Sequence, residues 1–115
     1  MKPARWIAPA LIAALALSTL PRAAAAFSGA QLLELCTTGG DAPEEAANLI
    51  FCNGYLEGVH SGYTLMARFM CIPDGVTPDQ VRLVIVDFLR EHPGLLRTYA
   101  NLLVVTALTE EFPCN

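Results

Sequence analysis

Residues Cys52 to Met66 read CNGYLEGVHSGYTLM, and three glycines stand in them at intervals of four: Gly54, Gly58 and Gly62. Glycine is a poor helix former, about 1 kcal/mol worse than alanine at each position. Yet an interval of four places residues on one face of a helix. The apolar residues around the glycines, Tyr55, Leu56, Val59, Tyr63 and Met66, keep a helical period as well. Both observations fit a helix whose glycines let another helix approach closely. The expected neighbour is the first or the fourth helix of the same chain, and a second molecule is the alternative. Glu57 and His60 make the segment too polar for a membrane-type dimerisation helix.

Working outward, the rest of the chain reads as further helices joined by short loops. Asp41 and Glu44, with Pro43 in the first turn, open the glycine-bearing helix, which should run to about Phe69. Ahead of it, TTGGDAP is a loop broken by Gly39-Gly40, and Ser28 with Gln31 forms a capping box for a short helix through about Cys36. Downstream, CIPDGVTPDQ is a connection in which Thr77 caps a third helix, Pro78 takes its first position and Gln80 completes the box. Val81, Val84, Ile85, Phe88 and Leu89 form its inward stripe. Pro93 ends that helix and starts a fourth, with Leu96, Tyr99, Leu103 and Ala107 on one face. Leu102 to Leu108, LLVVTAL, is apolar nearly all round, so this helix is central or is covered by a partner on a second side. Its valines, and those of RLVIVDFL at Arg82 to Leu89, would also suit strands; the capping signals and the lack of hairpin turns favour helix. The expected fold is a small all-α, four-helix bundle-like domain.

The N-terminal stretch has the three parts of a secretory signal peptide. Lys2 and Arg5 are its basic region, Trp6 to Leu20 its apolar run, and Ala24-Ala25-Ala26 its cleavage site before Phe27. The run is shorter than the ~20 apolar residues that a membrane span needs, and Pro9 interrupts it. Residues 1–26 are therefore expected to leave, and residues 27–115 to form one small exported domain with no membrane segment. All eleven acidic residues lie in that domain, against Arg68, Arg82, Arg90 and Arg97 and no lysine. Such a charge argues against nucleic acid and anionic membrane surfaces, and suits a basic protein partner.

Four cysteines, Cys36, Cys52, Cys71 and Cys114, fall in the domain. An even count in a small exported chain reads as two disulfides, which a modest core needs. Zinc is not expected, because no closely spaced cysteine pair exists. Cys52 and Cys71 stand on or near one helix, about 28 Å apart at ~1.5 Å per residue, beyond the roughly 7 Å that a disulfide allows. Alternating helix directions return the end of the fourth helix to the end of the second, which places Cys114 beside Cys71 and Cys36 near Cys52. Cys36–Cys71 with Cys52–Cys114 stays possible by a less compact path.

No catalytic constellation stands out. Cys52 and His60 are about 12 Å apart by a rise of ~1.5 Å per residue, and cannot act as a nucleophile and base by themselves. Glu44-Glu45 and Glu110-Glu111 sit at helix ends, and Asp74-Gly75 marks a turn. There is no G-x-S-x-G, H-E-x-x-H or phosphate loop. A binder without cofactor is the expectation.

Cys52-x-Gly54-Tyr55-x-x-Gly58, then FMCIPDGVTPDQ from Phe69, HPGLL from His92 and the terminal FPC from Phe112 occur in this order. In that order and spacing the chain resembles the type VI amidase immunity family, the Rap/Tai domain proteins, over the whole of residues 27–115. The resemblance implies an all-α periplasmic protein, often dimeric, that binds and blocks a peptidoglycan amidase delivered by type VI secretion. The amidase would carry the Cys–His site, and this chain would occlude it. Helix-connecting loops protrude from a bundle, so Ile72 to Asp79, with Asp74, Gly75 and Asp79, is the expected partner-binding element, with helix faces as the alternative. Two other classes fit less of the sequence. An acid-stress periplasmic chaperone would use the many carboxylates, and a small thiol enzyme would need free cysteines.

Overall fold

The computed structural model describes residues 26–39, 41–66 and 70–115. It contains four α-helices: α1 (Gly29–Thr37), α2 (Pro43–Met66), α3 (Pro78–Glu91) and α4 (Ala100–Glu111), with a 3-10 turn at Pro93–Leu95. Among the described residues there is no strand, only two isolated bridges, Ser28 with Tyr99 and Met70 with Pro113. The all-α reading holds. The leader proposed for the N-terminus lies outside the described residues save Ala26, as do Gly40, Arg68 and Phe69.

Both capping boxes form. The Ser28 hydroxyl accepts from the Gln31 backbone N–H while the Gln31 side chain accepts from the Ser28 N–H, and Thr77 with Gln80 repeats the arrangement at α3. At α1 two more helix-end donors are met from outside: Gly29 N–H donates to the Thr98 carbonyl at 3.0 Å and Ala30 N–H to the Leu96 carbonyl at 2.9 Å. The first turn of α1 is thus held by the segment before α4.

That segment corrects one expectation. Pro93 does not open the fourth helix; Pro93–Leu95 is a single 3-10 turn, and α4 starts at Ala100. Its carbonyls are turned toward α1 and toward the turn itself, where Thr98 N–H donates to Leu95 O at 2.8 Å. Leu96 and Tyr99 therefore belong to the connector, and Tyr99 is exposed.

Each of the four helices packs against the other three round one shared core. Leu103, Val104, Ala107 and Leu108 are buried in it, opposite Leu32 of α1, Leu56 of α2 and Ile85 and Leu89 of α3. Val86 is buried too, one position beside the stripe expected for α3, whereas Val81 and Val84 are only partly covered. α4 buries one stripe, Ala100, Leu103, Val104, Ala107 and Leu108, and leaves Asn101, Leu102 and Thr106 exposed, so its nearly all-round apolar sequence does not make it central.

The one described glycine that a neighbouring side chain crowds is Gly29. A β-carbon there would collide with Leu103 Cδ1 and stand 3.4 Å from the Leu96 backbone. Arg82 adds a polar tie across the bundle, donating from one guanidinium nitrogen to the Cys36 carbonyl at 3.2 Å, an otherwise unpaired C-terminal carbonyl of α1.

The two disulfides are Cys36–Cys52 and Cys71–Cys114, with Cα–Cα distances of 5.3 and 5.1 Å. This is the pairing that the alternating helix directions favoured. The first ties α1 to α2; the second ties the chain after α2 to the residues after α4. No described helix is long and apolar enough to cross a membrane.

Candidate functional site

The connection between α2 and α3 is anchored at its start. Cys71 is bridged to Cys114, its N–H donates to the Phe112 carbonyl at 2.8 Å, and Met70 pairs with Pro113. From there the chain makes a tight turn in which Val76 N–H donates to the Pro73 carbonyl at 3.3 Å. Gly75, third in that turn, has φ 92°, a left-handed value that suits glycine. Asp74 and Gly75 are exposed at the tip. Thr77 and its box then stop the loop.

The two carboxylates expected to act together are placed differently. Asp74 is on the turn. Asp79 is inside the first turn of α3, exposed, with an oxygen 3.5 Å from the Arg82 guanidinium. Asp79 therefore has a cation and a helix N-terminus near it already, while Asp74 faces solvent with no ion-pair partner among the described residues.

Behind the turn, between α2 and α3, lies a groove of about 470 Å³. Asn53, Leu56, Glu57 and His60 line it from α2, Ile72 and Val76 from the loop, and Pro78 and Val81 from α3. The α2 residues recur every three or four positions, so one helical face supplies that wall. The Asn53 Oδ1 atom is buried and has no hydrogen-bond donor. Glu57 accepts from the Ser61 hydroxyl at 3.2 Å. Sequence reasoning did not single out Asn53; nothing in its neighbours in sequence shows that a loop folds over it.

The glycine stripe faces the other way. Gly54, Gly58 and Gly62 are exposed, and a β-carbon on any of them would meet nothing within 4 Å. The expectation that α1 or α4 lies against them is thus overturned: both pack on the opposite side of α2, where Cys52 and Leu56 are buried. On the outward face the glycines are accompanied by Ile50, 73% exposed, Phe51 and Leu65, 89% exposed. Beside it Phe27 packs edge-on to Tyr55 with ring centroids 5.1 Å apart, and Phe51 stacks near Tyr55 at 6.3 Å. Burial there pushes the Tyr55 phenol above its ordinary pKa.

A second hollow, of about 430 Å³, lies between the C-terminal ends of α3 and α4, lined by Asp87, Glu91, His92, Glu110 and Glu111 among others. His92 stacks on Phe88, centroids 4.3 Å apart, and its Nδ1 is 2.8 Å from the Phe88 carbonyl. Among the described residues no three histidine, cysteine or acidic side chains are grouped to hold a metal ion. All four cysteines are oxidised, so no thiol is present to act as a nucleophile. This counts against the thiol-enzyme alternative.

Searches against curated proteins and against solved structures give no match. A family model, that of the Rap1a immunity proteins, matches residues 28–114. Its span takes in α1 with its cap, both disulfides, the anchored loop and α4, which is the entire described bundle but for a few terminal residues. The chain therefore belongs to the Rap1a immunity protein family.

Proposed function

We propose that the chain is a periplasmic immunity protein that binds a peptidoglycan amidase delivered by type VI secretion and covers its Cys–His active site with the Ile72–Asp79 element. The observation that carries the reading is the family membership over residues 28–114. The anchored loop supports the mode of action. A turn pinned by a disulfide at its base and a capping box at its far end loses little entropy on binding. Asp74 at the tip supplies negative charge for a basic rim, so association slows as salt rises. The chain itself performs no catalysis and needs no cofactor. The leader is removed before Phe27, and the two disulfides form in the oxidising compartment beyond the inner membrane.

The outward face of α2 has a separate task in this reading: it is where two copies meet. Glycines at intervals of four allow two helices to approach closely, and exposed Ile50, Phe51 and Leu65 supply apolar area. Since the loop and this face lie on different sides of α2, a dimer leaves both loops accessible.

The test is charge reversal at the loop. Asp74→Arg alone, and Asp74→Arg with Asp79→Arg, are assayed for binding to the amidase encoded beside this gene and for protection of cells that produce the enzyme in the periplasm. At least a tenfold loss of affinity is expected, about 1.4 kcal/mol. Full protection and unaltered affinity, with helicity intact by circular dichroism, remove the loop from the mechanism.

A further inference from the structure

The two disulfides sit in opposite surroundings. Cys36 and Cys52 have no exposure, and their bridge is part of the core cluster with Leu32 and Leu56. Cys71 is exposed, Cys114 is partly exposed, and neither belongs to that cluster. A thiol breaks a disulfide by direct attack on one of its sulfurs, so the rate depends on access. The inner bridge is reached only after the bundle opens, which costs most of the global stability. The outer one lies open in the folded chain.

What the outer bridge holds is also distinct. It joins Cys71, where the connection to α3 begins, to Cys114 in the tail Phe112–Asn115 that follows α4. Two backbone contacts join the same segments: the Cys71 N–H donates to the Phe112 carbonyl at 2.8 Å, and Met70 pairs with Pro113. The buried side chains of α4 end at Leu108, before that tail. Opening the outer bond therefore loosens the tail and the base of the turn and leaves the packed core in place.

We propose that Cys71–Cys114 is a reducible latch on the Ile72–Asp79 turn: a dithiol opens it in the folded protein, while Cys36–Cys52 stays closed and keeps the bundle intact. The exchange balances. One thiolate of the dithiol attacks a sulfur of the bridge, forms a mixed disulfide and releases the other cysteine as a thiolate. The second thiol of the reductant then displaces the first cysteine. Two electrons and two protons pass to the protein, and the reductant leaves as a disulfide. The latch stands on burial and topology alone. That its opening weakens partner binding rests on the immunity reading, in which a turn pinned at its base is ordered before contact.

The oxidised full chain is exposed to dithiothreitol without denaturant, quenched with iodoacetamide at intervals and mapped by mass spectrometry. Cys71 and Cys114 should be labelled together, about tenfold faster or more than Cys36 and Cys52. Helicity by circular dichroism should persist while only the outer pair is labelled. Equal rates, faster labelling of the inner pair, or loss of helix with the outer bridge alone open overturn the proposal. The chain carrying Cys71→Ser and Cys114→Ser, which keeps the inner bridge, gives a second measure. It should fold, and the backbone heteronuclear NOE of Asp74 and Gly75 should fall while the values along α4 stay. An unfolded variant, or a turn as rigid as in the parent, also overturns the latch. The same variant should bind the amidase about tenfold more weakly than the parent; equal binding removes the latch from partner control. An amidase that ignores the parent defeats the immunity reading instead, and leaves the labelling result standing.

Discussion

Helix α4 has 12 residues and buries Ala100, Leu103, Val104, Ala107 and Leu108. Helix α2 has 24 and fully buries Cys52 and Leu56. Neither has its apolar residues gathered on one side, yet they bury very different shares of their length. α4 buries that full stripe and still exposes apolar Leu102 on its outer side. α2 packs along one narrow edge and carries Ile50, Phe51 and Leu65 outward on a face of glycines. The same weak segregation accompanies a well-buried stripe in one helix and a largely open surface in the other. Length and small residues separate the two cases: a helix that continues past its packing partners with glycine in place of bulk has kept a face open.

The comparison breaks most sharply at a buried position of α4. Val104→Asp puts an unpaired carboxylate at a site with no exposure, and should cost more than about 4 kcal/mol, enough to unfold the domain. Ile50→Asp on α2, compared at a protein concentration where the parent is monomeric, should stay within ~0.5 kcal/mol of the parent. Urea titrations of the two side by side settle whether the helices differ as described. An Ile50→Asp chain as unstable as Val104→Asp would mean that the outward face is part of the core.

Next in size is the covalent link between the ends of the two helices. Replacing Cys71 and Cys114 by serine should lower stability by roughly 2–5 kcal/mol, read by thermal melting under non-reducing conditions. Non-reducing peptide mapping of the parent should recover Cys36 joined to Cys52 and Cys71 joined to Cys114; a Cys36–Cys71 peptide would contradict the fold.

A smaller effect separates two kinds of glycine. Gly29→Ala drives a methyl group into Leu103 Cδ1, beside the Leu96 backbone, and overpacking of this sort costs about 1–3 kcal/mol. The smallest concerns Gly58, where the space is open. Gly58→Leu, melted at a concentration where the parent is monomeric, should leave the melting temperature unchanged or raise it slightly, since replacing a mid-helix glycine is worth up to ~1 kcal/mol. Sedimentation at higher concentration should then show a dimeric parent turned monomeric. A melting temperature lowered as far as that of Gly29→Ala would restore the intrachain packing that the open space excludes.

What could be read from the sequence follows the range of the interactions. Ser28 with Gln31 and Thr77 with Gln80 are satisfied within four residues, so both helix starts were visible. The helix between Cys52 and Cys71 excluded one disulfide pairing, and the alternating helix directions favoured the observed one of the remaining two. The start of α4 was hidden. Pro93 is a sound helix opener by local rules, but the carbonyls of Leu96 and Thr98 are held by donors from Gly29 and Ala30, far away in sequence. Gly29 itself follows a cap and looks neutral there. The glycine stripe was legible as a stripe, because spacing fixes which residues share a face. Spacing does not say which way the face points. Asn53 and its groove depend on where a loop comes to rest, and no local signal carries that.

The order of the two bridges has a consequence for how the chain is made. Cys36–Cys52 closes a loop with a separation of 16 residues and Cys71–Cys114 one of 43, and the loops follow each other without overlapping. Each cysteine is joined to the next in the order in which they would cross a membrane from the N-terminus. An oxidase that transfers its disulfide to the first thiol and lets the following one resolve it arrives at the native connectivity with nothing to undo. No isomerase has to reshuffle a wrong pair. The first bridge can close before Cys71 is available; the second must wait for Cys114, so the turn at Ile72 to Asp79 is pinned at its base only after the whole of α4 has followed it.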